Sequence, residues 1–216
     1  MGISGLQVIV ILNKIADVIE ENKSYLCELD AAIGDGDHGI NMNKGFIVVK
    51  EKLRGDNGNN IGEILKRTGM ALVTNVGGAS GPLYGTAFMK ASMEVNGREN
   101  IDIEDFIRIL EAALGGIKMR GKAERGEKTM IDAIAPAIDA MKEALKDGLM
   151  PIDILKASKD AAIKGVEYTK TIIATKGRAS YLGERSIGHQ DAGATSSYLM
   201  LNTIYEEVKS IKEGMV

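Results

Sequence analysis

The sequence predicts an all-α protein, an eight-helix antiparallel up-and-down barrel or bundle. Three observations lead there. Apolar residues recur at steps of three and four along most of the chain, the period of one helix face. The two short β-branched runs, Val8 to Leu12 and Ile47 to Val49, have no strand partner, and the first continues in helical register through Ile19. The connectors between periodic segments are mostly short, which favours antiparallel neighbours.

The first helix, over 4–22, rests on Val8, Leu12, Ile15 and Ile19. Helices over 39–53, 60–75 and 80–94 follow, with Ser80 reading as an N-cap. The fifth, 102–121, carries Ile103, Ile107, Leu110, Leu114 and Ile117 behind the cap residue Asp102. The sixth, 129–147, opens at Thr129 and contains Pro136, which should bend it. Pro151 begins the seventh, 151–175, at a first helical position where a missing N–H costs nothing. The eighth spans 191–212. No repeat, Pro-rich linker or low-complexity tract divides the chain, so 1–216 reads as one domain.

Charge and composition exclude several classes. Lys plus Arg is 27 against 30 for Asp plus Glu, which leaves no basic footprint for nucleic acid. The single cysteine, Cys27, suits a reducing compartment. No apolar run is long enough for a membrane span, and the N-terminus lacks the features of a signal peptide. The expectation is a soluble cytoplasmic protein with no nucleic-acid or membrane partner. Glycine numbers 26 while Trp is absent, which implies backbone set close against another surface.

An up-and-down order places the connectors 23–38, 76–79, 122–128 and 176–190 at one end. They hold LDAAIGDGDHG, NVGGASG, GKAERGEKT and KGRASYLGERSIGHQDAG, counting the first turns that follow. The opposite connectors, RGDNGNN, NGREN and DGLM, read as ordinary polar turns. Each of the first four feeds a helix N-terminus, where free N–H groups and the positive end of the helix dipole favour an anion such as phosphate.

Asp30, Asp35 and Asp37 repel one another unless a cation joins them, and hard oxygen ligands suit Mg²⁺ or Ca²⁺. The bland reading is a solvated turn with a helix cap. An EF-hand is excluded, because Gly39 and Phe46 stand at its fifth and twelfth positions counted from Asp35. Gly34, Gly36 and Gly39 match a dinucleotide fingerprint only formally, since no strand precedes them. GKAERGEKT fails as a Walker A loop, because Glu127 follows Gly126. Arg178 offers a donor fork suited to phosphate, and His38 adjoins the acidic trio. Arg185 and His189 carry weaker claims, and Cys27 and the methionines read as packing.

Together and in this order, LDAAIGDGDHG, GGASGPLYGTAF, KTMIDA and GRASYLGERSIGHQDAG resemble the ADP-binding L subunits of dihydroxyacetone kinases over essentially the whole chain. The resemblance implies an eight-helix barrel with nucleotide at one end. It implies two Mg²⁺ ions on Asp30, Asp35 and Asp37, bridging the phosphates of ADP or ATP. His38, Gly39, Ile40 and Asn41 would line the nucleotide, with Ala79 and Ser80 at the head of the fourth helix. Gly121 and Met130 would flank the base or ribose, and Arg178 with Asp191, Ala192 and Gly193 would complete the pocket. Two departures stand beside these contacts: Glu127 where the family commonly has Asp, and Ala192 where it commonly has Pro.

The stand-alone form of this family implies partners: a K-type subunit holding dihydroxyacetone and an M-type subunit carrying a phosphohistidine. ADP would stay bound, be phosphorylated in place, and pass the group to dihydroxyacetone. Phosphoryl transfer needs mainly alignment and charge neutralisation, so no nucleophile or general base is named on this chain. The alternative is a non-catalytic ADP-dependent co-regulator of a transcription factor. A fatty-acid kinase domain is disfavoured, since those chains carry further domains. A homodimer remains open.

Overall fold

The structure, a computed structural model, describes residues 2–214. Nine α-helices occur among the described residues: α1 (Gly5–Glu21), α2 (Lys23–Ile33), α3 (His38–Leu53), α4 (Ile61–Asn75), α5 (Ser80–Glu94), α6 (Ile103–Gly121), α7 (Ile131–Lys146), α8 (Pro151–Thr169) and α9 (Ala192–Lys212). All eight expected helices are present, and the all-α prediction holds. The strands are a two-residue pair, β1 (Ile3–Ser4) and β2 (Asn100–Ile101), antiparallel with Ile3 opposite Ile101.

Two expected loops contain helix. Residues 23–33 form α2, and 178–186 form a 3₁₀ segment broken at Gly183. α2 was missed because it buries only Leu26 and Ile33, too few for an apolar stripe. It lies outside the ring, against α3, the start of α9 and the 3₁₀ segment. The seventh helix ends at Thr169, before the expected 175.

The other helices form a closed ring. Each packs on its neighbour in sequence, with α1 against α3 across the excursion of α2, and α9 returns to α1. The apolar faces point inward: Ile19, Met42, Phe46, Leu72, Ile131 and Met141 are fully buried. Each such side chain contributes about 1.5–3 kcal/mol. With three Phe and no Trp, the barrel is incompletely filled. An apolar cavity of about 180 Å³ remains inside, lined by Ile11, Ile15, Phe88, Phe106 and Met200 among others, with Tyr84 and Ser197 on its wall.

Of the three caps suggested by the sequence, Asp102 and Thr129 are formed and Ser80 is not. Asp102 accepts from Asp105 N in a capping box. Regular helix begins at Ile131, yet the Thr129 hydroxyl accepts from Ile131 N at 3.2 Å and Asp132 accepts from Thr129 N at 2.8 Å, so Thr129 does cap. Ser80 does not. It lies inside the first turn of α5, and its hydroxyl bonds a side chain from another helix.

Glycine serves helix packing at several positions. Gly69 of α4 faces Gly85 of α5, and Gly116 of α6 lies on Thr86. Pro136 removes the helical donor for the Asp132 carbonyl, and Gly165 of α8 sits against that oxygen, where a Cβ would overlap it.

Candidate functional site

The four connectors meet at one end of the barrel, tied by side chains. His38, at the head of α3, is buried, with Nδ1 3.0 Å from Ser80 Oγ and Nε2 2.9 Å from Ser196 Oγ. It therefore joins the starts of α3, α5 and α9. Burial holds its pKa below the ordinary 6.5 against the pull of Asp30 and Asp37. A neutral imidazole suits two hydroxyl partners, one nitrogen donating and the other accepting.

The tie continues through Tyr84 of α5. Its hydroxyl lies 2.8 Å from both Ser196 Oγ and Ser197 Oγ and donates toward Gly193 O at 3.2 Å. Burial pushes the phenol up to about 12. This layer of hydroxyls and imidazole lies between the connectors and the apolar cavity. The opposite end is tied separately: Ile61 N donates to Arg98 O at 2.8 Å and Gly97 N to Asn60 Oδ1 at 2.9 Å.

Asp30, Asp35 and Asp37 converge. One ligand oxygen from each lies within 4.8 Å of the other two, and no other such group occurs among the described residues. Three converging carboxylates are the donor set a hard divalent cation takes, so the residues fit Mg²⁺. Asp30, near the end of α2, accepts through Oδ2 from Asp37 N at 2.9 Å and His38 N at 3.2 Å. Asp37 makes no cap bond with its own side chain, which leaves its carboxylate free. Arg178 arrives from the 170–190 segment, with Nη2 2.9 Å from Asp35 Oδ2.

The remaining predicted residues lie on the same rim. Asn41 abuts Gly77, and Gly193 abuts Met130, whose side chain is buried. Gly121 ends α6 against Leu83 of α5. Ala79 precedes α5, and Ile40 is exposed. Gly39 packs on the Lys23 carbonyl, where a Cβ would overlap. Asp191 caps α9, accepting from Ala194 N at 2.7 Å, and burial pushes its carboxyl up to about 7. Ala192 forms the first turn of α9. Arg185 and His189 point to solvent.

Sequence reasoning missed Tyr84, Ser196, Lys128 and Asp132. Lys128 is buried and bonds the carbonyls of Thr169 and His189. Asp132 accepts from Gly126 N at 2.5 Å and folds the loop before α7. Its place three residues after Thr129, as in a capping box, was the available signal. Glu127 bonds Thr175 Oγ1 at 3.1 Å and Glu124 N at 2.7 Å, so this residue ties two rim segments.

The chain matches the DAK2 domain family over residues 32–206. It is 43% identical over 204 residues to the ADP-binding subunit of the PEP-dependent dihydroxyacetone kinase of Escherichia coli K12, covering 94% of this chain and 97% of the relative. A corresponding subunit from Listeria innocua is 46% identical, covering 90% of this chain and 92% of the relative. The crystal structure of the C. freundii dihydroxyacetone kinase with AMP-PNP and Mg²⁺ superposes with a TM-score of 0.69 at 26% identity. It covers 92% of this chain, which corresponds to 33% of that kinase. No helix among the described residues is long and apolar enough to cross a membrane.

Proposed function

The chain belongs to the DAK2 domain family of dihydroxyacetone kinase subunits, and from that premise we propose that it holds ADP as a resident phosphoryl carrier. ADP is phosphorylated in place by an M-type phosphohistidine subunit, and the group passes to dihydroxyacetone held on a K-type subunit. The reading treats 1–216 as one L-type nucleotide domain.

Asp30, Asp35 and Asp37 would hold two Mg²⁺ ions, which when bound neutralise charge on the phosphoryl oxygens. The chain's own residues orient the nucleotide. The starts of α3, α5, α7 and α9 direct backbone N–H groups toward an anion. His38, Gly39, Ile40 and Asn41, with Ala79 and Ser80, line one side of it. Gly121 and Met130 flank base or ribose, and Asp191, Ala192 and Gly193 close the pocket. Arg178 balances the negative trio and supplies a fork of donors to a phosphate. The neutral His38 acts as a brace, since both ring nitrogens are occupied by Ser80 and Ser196. No side chain is required as nucleophile or general base.

One observation carries this reading: the acidic trio and Arg178 meet where the starts of α3, α5 and α9 are tied together. Calorimetry of ADP with and without Mg²⁺ tests it, and binding should require the cation. Reconstitution with K-type and M-type partners should form dihydroxyacetone phosphate. The isolated chain with ATP should leave free dihydroxyacetone unphosphorylated. Turnover by the isolated chain overturns the division of labour.

A further inference from the structure

Between α8 and α9 the chain makes a strap, residues 170–190, that carries Arg178 across the rim to Asp35. Its backbone turns at Gly177, Gly183 and Gly188, all with positive φ. Gly188 N bonds Lys170 O at 2.7 Å and Ala174 N bonds Ser186 Oγ at 2.9 Å, so the strap doubles back on itself. Its two feet then have to be held.

Lys128 reaches both. Its ammonium donates to the carbonyls of Thr169, the last residue of α8, and of Ile172 at 3.4 Å, and on the far side to His189 O at 2.5 Å. The C-terminal end of a helix offers unpaired carbonyls and the negative end of the dipole, which favour a cation. Next to it, Thr169 Oγ1 accepts from Asp191 N at 3.1 Å, fastening α8 to the cap of α9. The adjacent Glu127 grips the strap further along, through Thr175 and Lys176.

Two costs are concentrated on this residue. The residue is 1% exposed, and removing an ammonium from water is expensive unless its hydrogen bonds are replaced. Its backbone sits at φ +59, a left-handed conformation that is strained for a non-glycine residue. Such strain persists where the surroundings over-determine it. Burial lowers the ammonium's pKa, and the carboxylates of Asp191 and Asp132 act against that. The phosphoryl chemistry above makes no use of Lys128.

We propose that Lys128 is a positioning residue for the nucleotide site, its ammonium clasping both feet of the strap so that Arg178 stands at Asp35. This rests on the nucleotide reading for its purpose, though not for its geometry. Lys128 acts through Arg178 and touches no phosphate itself.

The test is Lys128→Met, which keeps an unbranched side chain of similar length and removes the donor. Amide hydrogen exchange over 170–190 should accelerate by about tenfold or more, while exchange in α1, α4 and α5 stays unchanged. Calorimetry with Mg²⁺ and ADP should show about tenfold weaker binding for Lys128→Met and for Arg178→Ala. The double variant should lie within about threefold of Arg178→Ala alone, because both act through one group.

A strap that exchanges as in the parent protein, or losses that multiply in the double variant, overturn the proposal. Lys128→Leu, which also removes the donor, is read the same way if Lys128→Met does not fold. Failure of both to fold makes Lys128 a core residue and also overturns it. If the parent chain does not bind Mg²⁺ and ADP, the nucleotide reading fails, and the exchange result still decides the clasp.

Discussion

Asp30 caps a helix to which it does not belong, and this frees Asp37. The Asp30 carboxylate bonds the N–H groups of Asp37 and His38 at the head of α3, while Asp37, in the cap position, keeps its own carboxylate unspent. Asp30 thus serves the fold and, in the proposed reading, the cation as well. Asp35 caps no helix start and bonds Arg178.

The first prediction separates these duties. Asp35→Asn should weaken Mg²⁺-dependent ADP binding by at least about a hundredfold, with the thermal midpoint moved by no more than about 2 °C. Asp30→Ala should lose the binding and also destabilise the chain by about 1 kcal/mol, as a lost N-cap does. Calorimetry and thermal melts check both. Normal ADP binding by Asp35→Asn would remove the metal-clamp reading.

Asp191 gives the second. Its carboxyl is raised from the ordinary 3.8 to about 7 by burial, so the native chain holds this proton more tightly than the unfolded chain. Its contribution to stability is complete below about pH 4 and is lost as pH rises through about 7. His38 works in the other direction: its pKa is lowered, so its contribution is present above about 6.5 and is lost as pH falls through the native value. Asp191→Asn, which keeps an acceptor for Ala194 N, should flatten the decline in stability between about pH 5 and 8. Urea unfolding at several pH values measures it, and an unchanged decline contradicts the assignment.

Tyr84→Phe is the third. It deletes one hydroxyl that serves Ser196, Ser197 and Gly193, and leaves buried hydroxyls short of a partner. The expected loss is about 1–3 kcal/mol, read as a lower urea midpoint. ADP affinity should fall with it, because Gly193 and His38 are braced by the same layer.

The fourth concerns α7 and α8. Gly165→Ala places a methyl on the Asp132 carbonyl, and overpacking of this kind costs about 1–3 kcal/mol or more. Asp132 also folds the loop carrying Lys128. Thermal melts should therefore be lowered, and exchange in the strap raised. A neutral effect would mean that α8 can move away without cost.

The eight ring helices were legible because each buries a stripe wide enough to show its period, as Val8, Leu12, Ile15 and Ile19 do in α1. The meeting of four connectors was legible too, because short links between sequential helices leave only two ends. α2 was not legible, because it packs on the outside and buries only Leu26 and Ile33. Ser80 misled because its local setting is that of a cap, while its partner, His38, lies 42 residues away in sequence. Lys128 and Tyr84 act over separations of 41 to 113 residues, and no local pattern encodes such bonds.

Closure of the ring by α9 sets an order on the protein's birth. Ser196 and the Asp191–Gly193 turn are translated more than 150 residues after Asp37, and α1 waits for α9 as its neighbour. A nascent chain on the ribosome therefore exposes its acidic and glycine loops before their partners from α9 exist, and the rim can close only once the last helix has been made.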